Sequence, residues 1–176
     1  MHRLFVAIRP PLPVRQQLLG VMAGVRALRW QTDEQLHLTL RFIGEVERHQ
    51  ADDLAAALGQ VRTEPFEIEL HGMGMFERRR QGALWAGIRP SEPLQNLNAK
   101  VERACQAAGL EAERRSFHPH ITLARWKGRK PGLGPFLELH AGLSSPPWEV
   151  FEFILFESRL GRDGAHYEAV ESYALK

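Results

Sequence analysis

Cysteine is almost absent from this chain. Cys105 stands alone among 176 residues, which excludes an internal disulfide and a cysteine-based zinc cluster. Charge of one sign is also scarce. The 23 lysines and arginines nearly balance 21 aspartates and glutamates, leaving a formal net charge of +2. That balance permits an anionic ligand, whereas a dedicated duplex-DNA binder would normally be more basic. Long apolar runs are missing too. Leu4–Ile8 is too short for a signal-peptide core or a membrane span, so we expect a cytoplasmic protein without membrane contact. No low-complexity segment or long linker divides the chain. Its length fits one compact domain or two small lobes sharing a core, and its 44% hydrophobic and 25% charged residues are ordinary for a globular protein.

What the chain does have is a plan used twice. The first half opens Leu4-Phe5-Val6-Ala7-Ile8-Arg9-Pro10, and the second opens Leu84-Trp85-Ala86-Gly87-Ile88-Arg89-Pro90. Each run reads as a buried strand stopped by proline. An amphipathic helix follows in each half. Val14, Leu18, Val21, Val25 and Leu28 share one helical stripe, as do Leu94, Leu97, Val101 and Cys105. Ser91 is the expected N-cap of the second helix, with Pro93 in its first turn. Leu54, Leu58 and Val61 suggest a further short helix. Phe66–Leu70, Val150–Leu155 and Tyr167–Leu175 read as strands. Arg129–Pro135 reads as a loop by its glycine and proline content. The expected fold is α+β: two pseudo-symmetric lobes with mostly antiparallel sheets, helices outside, and a cleft between.

Each half then carries the pattern His-x-Thr-x, as His37-Leu38-Thr39-Leu40 and His120-Ile121-Thr122-Leu123. In a strand, residues i and i+2 face the same way. Alternation therefore predicts Leu36, Leu38, Leu40 and Phe42 toward the core, and His37, Thr39 and Arg41 toward the cleft. Likewise His120 and Thr122 face the cleft, while Ile121 and Leu123 face the core. Two imidazoles can supply the proton removal and proton donation that displacement at phosphorus needs. In-line attack would set their nitrogens roughly 5–7 Å apart, within hydrogen-bond reach of opposite sides of phosphorus. The threonine hydroxyls can donate to the non-bridging oxygens. Arg41 and Arg125 are candidates to hold a phosphate. Alternation favours Arg41 and turns Arg125 away, unless a bulge reverses it. His118 shares the cleft parity, and we read it as a strand-edge residue. Among the aromatics, Phe5 reads as core, and Trp30, Trp85 or Trp126 could stack a base. Each strand offers one cleft-facing histidine and no carboxylate, so neither a metal nor another cofactor is expected.

The combined motifs resemble the 2H phosphoesterases, named for paired His-x-Thr-x. They are most similar to the RNA 2′,3′-cyclic phosphodiesterases, also called 2′–5′ RNA ligases. The resemblance spans Arg3–Ile8, Leu36–Val46, Leu84–Gly87, Phe117–Arg125 and Phe156–Leu160 with Gly164–Tyr167. It implies one domain over residues 1–176, made of two intertwined lobes. It also implies metal-free hydrolysis of RNA-terminal or nucleoside 2′,3′-cyclic phosphate to a 2′-phosphate, with reversible 2′–5′ ligation in some members. His37 and His120 match the catalytic positions, Thr39 and Thr122 the phosphate contacts, and Arg125 the arginine that follows the second motif. We expect RNA ends or cyclic nucleotides as partners and a monomeric protein. The working roles are His37 as acid toward the 3′-oxygen and His120 as base for water. Other readings are a 2H enzyme for another cyclic phosphate or 2′–5′ oligonucleotides, and a non-catalytic module that binds RNA ends.

Overall fold

The computed structural model describes residues 1–176. The first apolar run forms β1 (His2–Ile8), whose last five residues are all buried, as a run without alternation demands. Helix α1 (Leu12–Val21) follows with a proline in its first turn. Val14 and Leu18 are buried on it, but it ends before the expected stripe does. The chain turns at Gly24 with φ of 86°. Val25 and Leu28 then pack on Leu84, Ala124 and Phe136 instead of extending the helix.

A two-residue strand β2 (Arg29–Trp30) and a 3-10 turn (Asp33–Gln35) lead to β3 (Leu38–Val46) and α2 (Arg48–Leu58). Leu54 and Leu58 are buried on α2, and Val61 lies past its end. The stretch expected as one strand at Phe66–Leu70 divides. Phe66–Ile68 is β4, and Leu70 begins β5 (Leu70–Arg78), which turns back into β6 (Gln81–Ile88). Helix α3 (Glu92–Ala107) is capped as expected, with Ser91 Oγ accepting from the Leu94 amide at 3.2 Å. Its stripe of Leu94, Leu97, Val101 and Cys105 is fully buried. Then come β7 (His120–Lys127), α4 (Gly134–Leu139), β8 (Trp148–Val150), β9 (Glu152–Gly161) and β10 (Gly164–Ala174). The strand expected at Val150–Leu155 is thus broken at Phe151.

One antiparallel sheet holds most of this, in the order β10-β9-β1-β3-β7-β6-β5, with β2 also against β7. Strands β4 and β8 make a separate pair. The two β-α-β units sit back to back. β1 pairs with β3, β6 pairs with β7, and the motif strands meet at the seam. The last two strands cover the outer edge of β1, so the first lobe is built from both ends of the chain. Leucines of α1, α2 and α3 share one buried cluster with Leu36, Leu38, Leu40, Ile121 and Leu123. Each fully buried leucine contributes about 1.5–3 kcal/mol. That packing holds the motif strands in place from behind.

Candidate active site

The seam between the lobes rests on one ladder pair, Leu38 with Ile121, both fully buried. Antiparallel register then sets His37 across from Thr122 and Thr39 across from His120, on the face away from the core. Each motif thus lends its histidine to the other's threonine. His37 stands one residue before β3 rather than inside it, and His120 opens β7.

Both imidazoles are oriented the same way. His37 Nδ1 lies 2.7 Å from the Gln35 carbonyl, and His120 Nδ1 lies 2.6 Å from the His118 carbonyl. A carbonyl only accepts, so Nδ1 carries the proton in each ring and Nε2 is left for the cleft. Gln35 is itself held. Its side chain accepts from the Thr32 amide at 3.0 Å and donates to the Ala165 carbonyl at 2.9 Å, on the β9–β10 hairpin. Aromatic rings brace the histidines in matching fashion. Phe5 lies 4.8 Å and Tyr167 5.3 Å from the His37 ring. Phe76 lies 5.0 Å and Trp85 6.0 Å from the His120 ring. Phe5 and Trp85 hold the same place in the two opening runs.

Burial dominates the electrostatics. Desolvation brings His37 down to about 4; the Gln35 carbonyl opposes this, while Arg125, His120 and Arg9 add to it. His120 is also lowered, first by burial, with the His118 carbonyl opposing and His118 and Arg125 adding. Near neutral pH the unliganded site therefore holds two neutral imidazoles, each with a free Nε2 lone pair.

Two bulges decide which neighbours join them. Between β6 and β7, Leu84 faces Ala124 and Trp85 faces Thr122, so Leu123 is an extra residue. Leu123 and Ala124 are consecutively buried, and Arg125 emerges exposed on the side of His120 and Thr122. Between β1 and β3, Val6 faces Arg41 and Ala7 faces Thr39, so Leu40 is extra. Leu40 and Arg41 are consecutively buried, and Phe42 emerges 43% exposed. The bulges occupy the same place in the two lobes. They reverse the alternation expected beyond each motif: Arg125 enters the cleft, Phe42 leaves the core, and Arg41 turns inward. Arg41 borders the cleft, but three of its five N–H donors are committed elsewhere. Nε meets Glu102 at 2.6 Å, one Nη meets the Phe42 carbonyl at 2.7 Å, and the other meets the Glu111 carbonyl. It straps β3 to α3 and to the segment before His118.

The resulting cleft of about 620 Å³ gathers His37, Thr39, His120, Thr122 and Arg125, with Phe42, Phe76 and Phe117 on its walls. Of the aromatics considered from sequence, Phe5 and Trp126 are buried. Trp30 is half-buried and pairs with β7, and Trp85 is half-buried beneath Phe76. His118 contributes through its carbonyl, and its ring packs on Phe76 and Trp85. Sequence reasoning passed over Gln35, Phe76 and Tyr167. The shared position of Phe5 and Trp85 was the available hint that each histidine has an aromatic support. No three His, Cys, Asp or Glu side chains converge as a metal site requires.

A divided antiparallel sheet with one histidine and one threonine from each half at its seam is the arrangement of the 2H phosphoesterase class. The 2′–5′ RNA ligase superfamily profile matches residues 18–161. An RNA 2′,3′-cyclic phosphodiesterase of Aeropyrum pernix is 37% identical over 142 residues, covering 78% of this chain and 81% of its own. One from Thermus thermophilus is 36% identical, covering 99% and 90%. The crystal structure of Escherichia coli LigT complexed with 3′-AMP superposes with a TM-score of 0.81 at 29% identity, covering 99% and 98% of the two chains. The chain belongs to the 2′–5′ RNA ligase superfamily.

Proposed function

We propose that this protein is an RNA 2′,3′-cyclic phosphodiesterase, opening the cyclic phosphate of an RNA end or nucleoside to a 2′-phosphate. The observation that carries the reading is the pair of imidazoles with Nδ1 fixed on a carbonyl and Nε2 free in one cleft. Binding alone has no use for two titrating groups so held. Two relatives of similar length bear the name RNA 2′,3′-cyclic phosphodiesterase, and a solved neighbour of similar length holds a nucleoside monophosphate.

In the reaction, a water oxygen attacks phosphorus while His120 Nε2 takes its proton. The P–O3′ bond breaks, and His37 Nε2–H protonates the departing 3′-oxygen. Thr39 and Thr122 donate to the non-bridging oxygens, where charge builds in the transition state. Arg125, exposed at the cleft edge, supplies the nearest free cation. A 5′-hydroxyl in place of water gives a 2′–5′ linkage by the same proton transfers. The acid role of His37 needs a proton that burial opposes in the free site. The phosphate anion supplies the counter-charge, so substrate binding arms the acid. Arg41 shapes the wall rather than holding phosphate, because it is buried and each of its three nitrogens is already bonded, to Glu102 and two carbonyls.

The test is a screen of 2′,3′-cyclic mononucleotides, cyclic-phosphate-terminated RNA and 2′–5′ dinucleotides, with the product phosphate located by phosphorus NMR. We expect 2′-phosphate from the first two. A 3′-phosphate product would reverse the orientation of the leaving oxygen. Turnover confined to 2′–5′ dinucleotides would favour the other-substrate reading, and tight binding without turnover would favour the non-catalytic one.

A further inference from the structure

The lobes match around the two histidines and differ beyond them. Residues paired directly across an antiparallel ladder share a face. On β5, β6 and β7, Gly74, Trp85 and Thr122 form one such row; Phe76, Ala83 and Arg125 form the next; Arg78, Gln81 and Lys127 form the third. This is the cleft face, because Thr122 lies in the first row and Phe76 meets the His120 ring edge-on. Small Ala83 lies between Phe76, which is 40% exposed, and Arg125. Arg78, Arg125 and Lys127 are all exposed, and none has an ion-pair partner. Arg79, Arg80, Arg129 and Lys130 continue the charge at the tip, where Glu77 is the one acid, 3.8 Å from Lys130.

The outer end of the other lobe is mixed in charge. There Arg159 is paired with Glu168 at 3.3 Å and Glu157 at 3.6 Å, and Glu45 stands opposite Arg3. The cationic strip therefore belongs to one lobe only, and it starts at the catalytic face. From Thr122 to Lys127 it runs roughly 15 Å at about 3.3 Å per residue, longer than a single nucleotide needs.

We propose that this strip holds the single-stranded RNA leading into the cyclic phosphate from its 5′ side. A base stacks on Phe76, and backbone phosphates lie along Arg125, Arg78 and Lys127. An aromatic platform beside an unpaired cationic track is how single strands are held without sequence readout. The inference rests on the proposed cyclic-phosphate chemistry and adds to it a preference for RNA ends over free nucleotides.

The test compares a 2′,3′-cyclic mononucleotide with a short single-stranded RNA ending in the same group, in wild type and in the double variant Arg78→Gln, Lys127→Gln. Both positions are exposed, and thermal unfolding checks that the fold is kept. We expect unchanged constants for the mononucleotide. For the RNA, KM rises roughly tenfold and the slope of log KM against log salt flattens by about 1.4, since each single-strand phosphate contact contributes roughly 0.7. Unchanged KM and salt slope for the RNA, or an equal loss on both substrates, overturns the proposal. If wild type opens neither substrate, the cyclic-phosphate reading fails, and fluorescence anisotropy with the labelled RNA decides the strip alone. Weaker binding by the variant then sustains it, and equal binding overturns it.

Discussion

Glu102→Gln isolates the strap that the bulge in β3 creates. The substitution keeps the side-chain shape and removes the charge facing Arg41. The Arg41 side chain is 9% exposed and that of Glu102 20%, so an unpaired Arg41 has little water to turn to. Removing one partner of a buried pair costs roughly 3–5 kcal/mol. Glu102 is partly exposed, and glutamine still accepts a hydrogen bond, so we expect about 3 kcal/mol. In a protein of this size that lowers Tm by about 6–12 °C. Burial alone would raise the Glu102 pKa, but hydrogen bonds from Arg41, the Glu113 amide and Gln106 hold it below its ordinary value. A carboxylate lowered on folding stabilises above its unfolded pKa and loses that effect as pH falls through its folded one. The Tm gap between wild type and variant should therefore narrow in acid. Arg41→Met should show at least the same loss. The assay is thermal unfolding followed by circular dichroism, with KM measured on the same samples. An unchanged Tm together with a lowered KM would refute the strap, because it would mean that Glu102 only competes with phosphate for a free Arg41.

Burial of His37 has a thermodynamic counterpart. Its pKa falls from 6.5 to about 4 on folding, so the unfolded chain binds more protons and stability should drop as pH falls through that window. Denaturant unfolding should show a shallower slope for His37→Asn, and equal slopes would contradict the burial argument. Because bound phosphate favours the charged imidazole, the alkaline limb of the kcat profile should lie above that of kcat/KM, both limbs belonging to the coupled pair. Coincident limbs would remove the arming step. Thr39→Val and Thr122→Val should each lower kcat by about 10²–10³-fold with Tm little changed; normal kinetics in folded variants would make them ordinary strand residues. Gly74→Ala places a methyl group against the Trp85 ring, and should cost about 1–3 kcal/mol while displacing the ring that supports His120. Full stability and activity would show that the ring yields freely.

Much of this was legible in the chain. The two apolar runs, the capped helix from Ser91 and the repeated His-x-Thr-x motif each follow from short-range patterns, and the structure places them in two matched units. Beyond the motifs, alternation alone misplaced the neighbours, and only the family resemblance pointed to Arg125. Leu36, Leu38, Leu40 and Phe42 alternate without a break, and nothing in them marks Leu40 as an extra residue. A single inserted residue reverses the side chains that follow it, here Arg41 and Phe42, until a second irregularity at Ile43 shifts the register again. That one slip exchanges Arg41 for Phe42, and its twin at Leu123 brings Arg125 in. Tyr167 reaches His37 only because the last two strands lie against the first, a long-range pairing that local periodicity does not encode. The helix ends at Val21 and Leu58 were overrun for a similar reason: Val25, Leu28 and Val61 are buried to some degree by packing, without being helical.

The central claim is that His37 and His120 share the proton transfers at phosphorus. It is tested most directly by turnover of a 2′,3′-cyclic mononucleotide, in chelator, by wild type, His37→Ala, His120→Ala and the double variant. The account expects wild-type activity in chelator and a loss of roughly 10²–10⁴-fold for each single variant. The double variant should fall well short of the product of those losses, because the pair acts as a unit. Near-normal turnover in either single variant, or activity lost in chelator and restored by a divalent ion, would contradict it.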